Sequence, residues 1–256
     1  MAVYCMSDIH GCYDMFIQML RYIRFTKEDE LYIIGDLFDR GEKSYEIYNY
    51  VKTHDNVHVL KGNHEDMAFD ALTYGMDLWV SWFHRNGGIY TYHSFLRNFS
   101  KYKKKYMDEN TKAFVESNRE MFVKKEIITF CKSLPLYKYV EVNGRKFLLV
   151  HAGIAKGIPV EHQSSNTLLW IRDIFYYNPT DLKDTIVIFG HTPTYFIAED
   201  KSTKIWVDKV NKDKIGIDGG CFFVEGHINC IRLDDMMGFS IARTDGEKSS
   251  YPIEFE

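Results

Sequence analysis

Leu31-Tyr32-Ile33-Ile34-Gly35-Asp36-Leu37-Phe38-Asp39-Arg40-Gly41 is the stretch on which the reading of this chain turns. Four apolar residues run straight into two carboxylates, an arginine and two glycines. A short apolar run bounded by glycine is the pattern of a buried strand. Ending such a strand in Asp is costly unless the charge is offset, because ionised carboxylates away from water pair or bind metal. Asp36 is therefore expected to set its charge against two cations at once, and Arg40 to face a phosphate.

The pattern repeats on both sides of this stretch. Residues 2–6 are apolar and lead into Ser7-Asp8-Ile9-His10-Gly11. Phe16, Met19, Leu20 and Ile23 then recur at helical spacing, which predicts a helix over about 12–24. Ile47, Tyr48 and Val51 suit a second helix, and Val57-His58-Val59-Leu60 is a third strand leading into Lys61-Gly62-Asn63-His64-Glu65. The β-α-β-α-β order predicts parallel strands with crossover helices. Farther on, Asn143-Gly144 is a type I′ hairpin signal between strands at 136–142 and 146–150. The second of these meets His151-Ala152-Gly153, and an apolar strand at 185–189 meets Gly190-His191-Thr192-Pro193.

Residues from about 66 to 132 read as a mostly helical section inside the same domain, packed on the sheet and rimming the site. Asn86-Gly87-Gly88 reads there as a loop break, and Lys101-Tyr102-Lys103-Lys104-Lys105 as a solvated helix face. From about 204 to 243, short strands and turns are expected to close a second sheet. Asp218-Gly219-Gly220 reads as a turn bringing the chain back toward the site. One α/β domain over residues 1–256 accounts for all of it.

Composition narrows the function. At 256 residues, with 45% hydrophobic and 16% aromatic content, the chain can fill one large core. A net charge of −4 offers no general attraction to nucleic acid or to an anionic membrane. No apolar run approaches the ~20 residues of a membrane span, and the first residues lack a basic stretch, so no signal peptide is expected. Cys5, Cys12, Cys131, Cys221 and Cys230 are scattered and odd in number, as for free thiols in a reducing cytoplasm.

Five apolar runs thus each deliver a ligand-type residue just past their carboxyl end: Asp8 and His10, Asp36 and Asp39, Asn63 and His64, His151, and His191. Ligands of open α/β sheets bind outside the carboxyl ends of strands, so these side chains can converge. Carboxylates, one amide and imidazoles, without thiolate, suit Mn, Fe or Zn. Two such ions, sharing a carboxylate that reduces their repulsion, activate water and clamp an in-line displacement at phosphorus. Arginine supplies a planar fork for phosphate oxygens, and Arg40 and Arg172 are placed for it. His54, His58, His84, His93, His162 and His227 lack any motif and read as surface or core residues.

These motifs resemble the five signatures of the PPP family of metal-dependent serine/threonine phosphatases. They are Asp8-x-His10-Gly11, Gly35-Asp36-x-x-Asp39-Arg40-Gly41, Gly62-Asn63-His64-Glu65, His151-Ala152-Gly153 and Gly190-His191-Thr192-Pro193. Chain length and Leu169-Trp170-x-Arg172 resemble the compact bacterial and phage branch, typified by the phosphatase of phage lambda. The resemblance implies a calcineurin-like metallophosphoesterase β-sandwich flanked by helices. It implies two divalent ions, Mn before Fe or Zn. Asp8 and His10 would bind the first, Asp36 would bridge, and Asn63, His151 and His191 would complete the second. His64 would be the general acid, oriented by Asp39. Arg40, Asn63 and Arg172 would hold the phosphate for direct attack by a bridging hydroxide, without a covalent phosphoenzyme. The implied activity is phosphomonoester hydrolysis on phosphoserine or phosphothreonine in proteins, with phosphotyrosine as a further substrate. A dinucleoside polyphosphate hydrolase with the same metal chemistry is the alternative, and a non-catalytic scaffold would require a lost ligand. Expected partners are a phosphoprotein or a phosphorylated small molecule, without nucleic acid or membrane.

Overall fold

Side-chain alternation along the strands sorts the core into layers. In the computed structural model, which describes residues 1–103, 113–114 and 116–255, β1 spans Val3–Met6. Its Tyr4 and Met6 pack to one face and Cys5 to the other. Leu31 and Ile33 of β2 (Glu30–Ile33) follow Tyr4 and Met6, while Ile34 follows Cys5. Both faces of these strands are therefore buried, which is why they read as unbroken apolar runs.

β1, β2 and β3 (Val57–Val59) pair in parallel, as the element order predicts. Their outer face carries α1 (Tyr13–Tyr22), α2 (Ser44–Thr53), α3 (Asn63–Tyr74), α4 (Met76–Val80), α5 (Gly88–Lys103) and α6 (Arg119–Ser133). Phe16, Met19 and Leu20 of α1 are buried there; each side chain so buried is worth ~1.5–3 kcal/mol relative to exposure. The section expected to be helical is helical among the described residues. The side chains of Lys101–Lys105 lie outside them.

The second sheet is built on β4 (Tyr137–Val142) and β5 (Arg145–Val150). They form an antiparallel hairpin whose Asn143 and Gly144 both have positive φ, as a type I′ turn demands. β5, β6 (Thr185–Phe189) and β8 (Lys214–Gly216) are parallel, and β7 (Trp206–Val207) closes the edge. Phe147, Leu149 and Ile188 face the first sheet. Leu148, Val150, Val187 and Phe189 face away, toward α7 (Ser165–Trp170) and α8 (Asp173–Tyr176). The result is a sandwich of two mixed sheets with helices on both outer faces.

The tail departs from expectation. β7 and β8 do complete the second sheet, but β9 (His227–Arg232), β10 (Met237–Ala242) and β11 (Lys248–Pro252) extend the first one. β9 pairs antiparallel with the free edge of β1, placing Cys5 opposite Ile231. Covering that edge leaves β3 and β11 as the sheet's outer strands.

Candidate metal centre and active site

The five ligand-bearing strands are divided between the two sheets, three in the first and two in the second, and their carboxyl ends meet at one edge of the sandwich. Backbone and side-chain bonds lace them together. Asp8, His10 and Gly11 donate their N–H groups to the carbonyls of Gly35, Asp36 and Leu37. Across the sheets, His151 Nδ1 donates to the Ile34 carbonyl at 2.9 Å, and the His191 N–H reaches Asp8 Oδ2 at 3.0 Å.

Ten residues were expected at the site, and the structure brings the metal-type donors and Arg40 together, with Arg172 on Thr192 next to His191. Asp8, His10, Asp36, Asp39, Asn63, His64, His151 and His191 are all buried. Six of the ten (Asp8, His10, Asp36, Asp39, Arg40 and His191) hold positive φ, from 46° to 70°. Such left-handed backbone is uncommon outside glycine, costs of order 1–3 kcal/mol where strained, and gathers at functional sites. The motif glycines allow close approach: a Cβ on Gly62 would strike Asp36 Oδ1, and one on Gly190 would strike Asp8 Oδ2.

Among the described residues, two groups of donor atoms lie close enough to hold cations: His10, Asp36 and His64, and Asp8, Asp36 and His151. Asp36 belongs to both, but the grouping differs from the expected one: Asp8 falls with His151 and not with His10, and His64, expected as the acid, falls with His10. Its Oδ2 is 3.5 Å from His10 Nε2, and its Oδ1 is 3.5 Å from His151 Nε2. Asn63 Oδ1 lies 2.8 Å from His151 Nε2 and 2.9 Å from His191 Nδ1. Because His151 donates its Nδ1–H to Ile34, the Nε2 facing Asn63 presents a lone pair, so two acceptors meet there. Among the described residues, His191 Nε2 is buried without a hydrogen-bond partner.

The electrostatics agree with a cation site. Burial, and then the Asp8 charge, pushes Asp36 well above the usual carboxylate range. Asp218, buried and facing Asp8, is raised for the same two reasons. Burial, then the Arg40 charge, holds His10 and His64 well below the usual imidazole value. Burial likewise lowers His151 and His191. Neutral imidazoles keep their lone pairs, which is the state a metal takes, and a cation relieves the crowded carboxylates. The donor set fits a pair of divalent ions.

His64 has a different partner from the other imidazoles. Its Nδ1 donates to Asp39 Oδ2 at 2.7 Å, fixing Nε2 as the atom turned toward the pocket. The Asp39 carboxyl is fully buried, and burial pushes it up to about 7 against hydrogen bonds from Thr91 and Trp82. Arg40 bridges two of the imidazoles, with Nη1 2.8 Å from His10 Nε2 and Nη2 2.9 Å from His64 Nε2. Its guanidinium lies 4.2 Å from the Phe222 ring centre. Arg172, more exposed, donates from Nη1 to Thr192 Oγ1 at 2.8 Å, one residue past His191. Trp170 meets the His191 ring edge-on at 5.7 Å.

Several contributors were not read from sequence. Glu65, fully buried, accepts the N–H groups of Asp36, Leu37, Phe38 and Gly62. Its place three residues after the Gly62 N-cap of α3 is the local signal, since an N3 glutamate closes on the cap N–H. The N-terminus of α3 then meets Asp36, whose Oδ1 accepts the His64 N–H at 3.0 Å. Asp218 proves to be more than a turn, with its carboxyl beside the site and accepting from Gly220. Phe222, Trp82 and Thr91 carried no motif signal. The six motif-less histidines take no part in either donor group.

A family model described as calcineurin-like phosphoesterase matches residues 1–228. The chain belongs to that family. Among curated relatives of this phosphoesterase, a symmetrical bis(5'-nucleosyl)-tetraphosphatase from Vibrio parahaemolyticus is 28% identical over 197 residues. That alignment takes in 72% of this chain but 60% of the Vibrio protein, so the chain spans less than two thirds of that relative. A solved structure named for a candidate diadenosine tetraphosphatase matches with a TM-score of 0.60 at 17% identity, over 98% of this chain and 92% of that one. A cold-active protein-tyrosine phosphatase from a psychrophilic Shewanella matches at 0.54 and 16%, over 97% and 79%. At these identities the two structures speak for the fold alone. The calcineurin-like resemblance read from the motifs is borne out at the level of the superfamily. The curated relatives compared are named symmetrical bis(5'-nucleosyl)-tetraphosphatase. Among the described residues no helix is long and apolar enough to cross a membrane, and all five cysteines are free thiols.

Proposed function

We propose that this metal-dependent phosphoesterase hydrolyses dinucleoside polyphosphates of the diadenosine tetraphosphate type, the alternative substrate class left open by the motifs. The observation that carries the chemistry is the sharing of Asp36 by two donor groups, with the His64–Asp39 pair and Arg40 in contact with them. The relationship to the Vibrio tetraphosphatase supports the substrate class.

The residues divide the work as follows. Asp8 and His10 would hold one ion, Asn63, His151 and His191 the other, and Asp36 would serve both. When bound, the ions activate water and neutralise phosphate charge. Arg40 and Arg172 would grip phosphate oxygens, and the Asn63 amide assists. Arg40 leaves its imidazole contacts for the phosphate. Once Arg40 has turned to the phosphate, His64 takes up a proton at Nε2 and passes it to the leaving oxygen, while the Asp39 carboxylate holds its Nδ1–H and stabilises the imidazolium. Manganese is the ion we favour, and a reducing cytoplasm the compartment.

Phosphomonoester hydrolysis on proteins is the second reading, favoured by the intact Asp39-Arg40-Gly41 and Gly62-Asn63-His64-Glu65 motifs. A scaffold role has nothing in its favour, because every ligand position is filled. The test is a side-by-side assay, with Mn present, on diadenosine tetraphosphate, a phosphoserine protein and a phosphotyrosine peptide. Symmetrical cleavage gives ADP as sole product, with kcat/KM at least tenfold above either phosphopeptide substrate. A reversed ratio would replace this reading with the second.

A further inference from the structure

We infer that Trp82 and Thr91, both from the helical section of the chain, are positioning residues for the proton donor His64. The inference rests on the proposed role of His64 and extends it to residues that no motif marks.

The geometry is specific. Asp39 Oδ2 accepts from two donors at once, His64 Nδ1 at 2.7 Å and Trp82 Nε1 at 2.9 Å. Asp39 Oδ1 accepts from Thr91 Oγ1 at 2.8 Å, and the same Thr91 oxygen accepts the Asp39 N–H at 2.7 Å. Ser44 Oγ sits 3.1 Å from Thr91 Oγ1 and completes the group. Trp82, Thr91, Ser44, Asp39 and His64 are each nearly or wholly buried. Both carboxylate oxygens are thus fixed from the side away from His64. The plane of the carboxylate, and through it the aim of the imidazole, is set by residues far along the chain.

Local structure explains how Trp82 reaches. It lies in a π-helical turn, Ser81–Arg85, that interrupts the run between α4 and α5. Such turns shift the side-chain register by one residue and are frequent at functional sites. Gly88, the first residue of α5, lies flat on the Trp82 ring, and a Cβ there would strike the indole. One residue earlier, the Gly87 carbonyl accepts the Arg40 N–H at 3.3 Å. The same turn therefore grips Asp39 through the indole and the backbone of Arg40 through Gly87. An indole that served only as core filling would need no partner on a carboxylate. A buried Trp N–H does need an acceptor, and here the acceptor is the one oxygen that also holds His64.

Removing the indole N–H while keeping an aromatic ring isolates this role. In Trp82→Phe, Oδ2 keeps one donor, the carboxylate turns more freely and His64 loses its aim. Proton donation matters for a poor leaving group and hardly for nitrophenolate. We expect kcat on phenyl phosphate to fall at least tenfold, and kcat on 4-nitrophenyl phosphate to stay within threefold, with KM and bound Mn unchanged. Thr91→Val should show the same split, and the double variant with Asp39→Asn should be no worse than Asp39→Asn alone. His64→Asn is run alongside. If His64→Asn lacks the leaving-group split, the reading of His64 as acid fails. If His64→Asn shows it while Trp82→Phe and Thr91→Val slow both substrates equally or neither, the positioning role alone is overturned. Melting curves of each variant identify any general loss of fold, which would slow both substrates alike.

Discussion

Glu65→Gln isolates the residue that holds the loop bearing Asp36. The glutamate places Oε2 on the N–H groups of Asp36 and Gly62 at 2.9 Å each, and Oε1 on those of Leu37 and Phe38 at 2.9 and 3.2 Å. A glutamine is nearly the same size but presents one oxygen and one NH2. Whichever way the amide turns, one pair of buried N–H donors faces another donor. A buried donor left without an acceptor costs about 1–3 kcal/mol. Two of them, partly relieved by local relaxation, should cost about 2–4 kcal/mol. For a chain of this size, at ~2–4 °C per kcal/mol, Tm should fall by roughly 5–15 °C. Because the loosened loop carries the shared carboxylate, Mn affinity should fall at least tenfold as well. A tenfold weaker Kd removes about 1.4 kcal/mol of Mn-induced stabilisation at saturating metal. Thermal melts with and without Mn separate the two effects: the metal-free drop reports the loop, and the smaller Mn-induced rise reports the site. Glu65→Gln melting like the wild type, with the full Mn-induced rise, would refute the reasoning that this carboxylate anchors the loop.

Other outcomes follow from the same geometry. Arg172→Ala should raise KM for phosphate esters by roughly 10- to 100-fold, the value of a charge-assisted bond, in steady-state kinetics. Its Tm should hold, because Tyr176 still bonds Thr192 at 2.6 Å. Gly190→Ala should lower Mn content by atomic spectroscopy, since the added Cβ displaces Asp8. Asp36, held above the usual range by burial and Asp8, carries a proton below its raised pKa that an arriving cation must expel. Mn affinity should therefore rise with pH. Calorimetry in buffers of different ionisation enthalpy should show net proton release.

The sequence spoke most clearly where the chemistry is local. Each motif ligand stands within a few residues of an apolar run, so strand and donor could be read together at Asp8, Asp36, Asn63, His151 and His191. What depends on pairing over long distances was hidden. Nothing in 227–252 says that β9 covers the free edge of β1 and not an edge of the second sheet; the Cys5–Ile231 register decides it. The anchoring by Glu65 was not legible, because the loop it serves lies earlier in the chain. Trp82 was invisible as a site residue, since only a π-helical turn brings its indole to Asp39. Substrate class was hidden for another reason. Hydrolysis of a phosphoserine and of a polyphosphate places the same demands on Asp36, His64 and Arg40, so the motifs alone favoured neither strongly.

The most direct test of the two-ion centre is an anomalous-difference map from crystals soaked in Mn, for the wild type and for Asp36→Asn. The wild type should show two peaks, one beside Asp8 and His10, the other beside Asn63, His151 and His191, both in contact with the Asp36 carboxylate. Asp36→Asn should lose at least one of them. A single peak in the wild type, or two peaks that leave Asp36 untouched, would contradict the account.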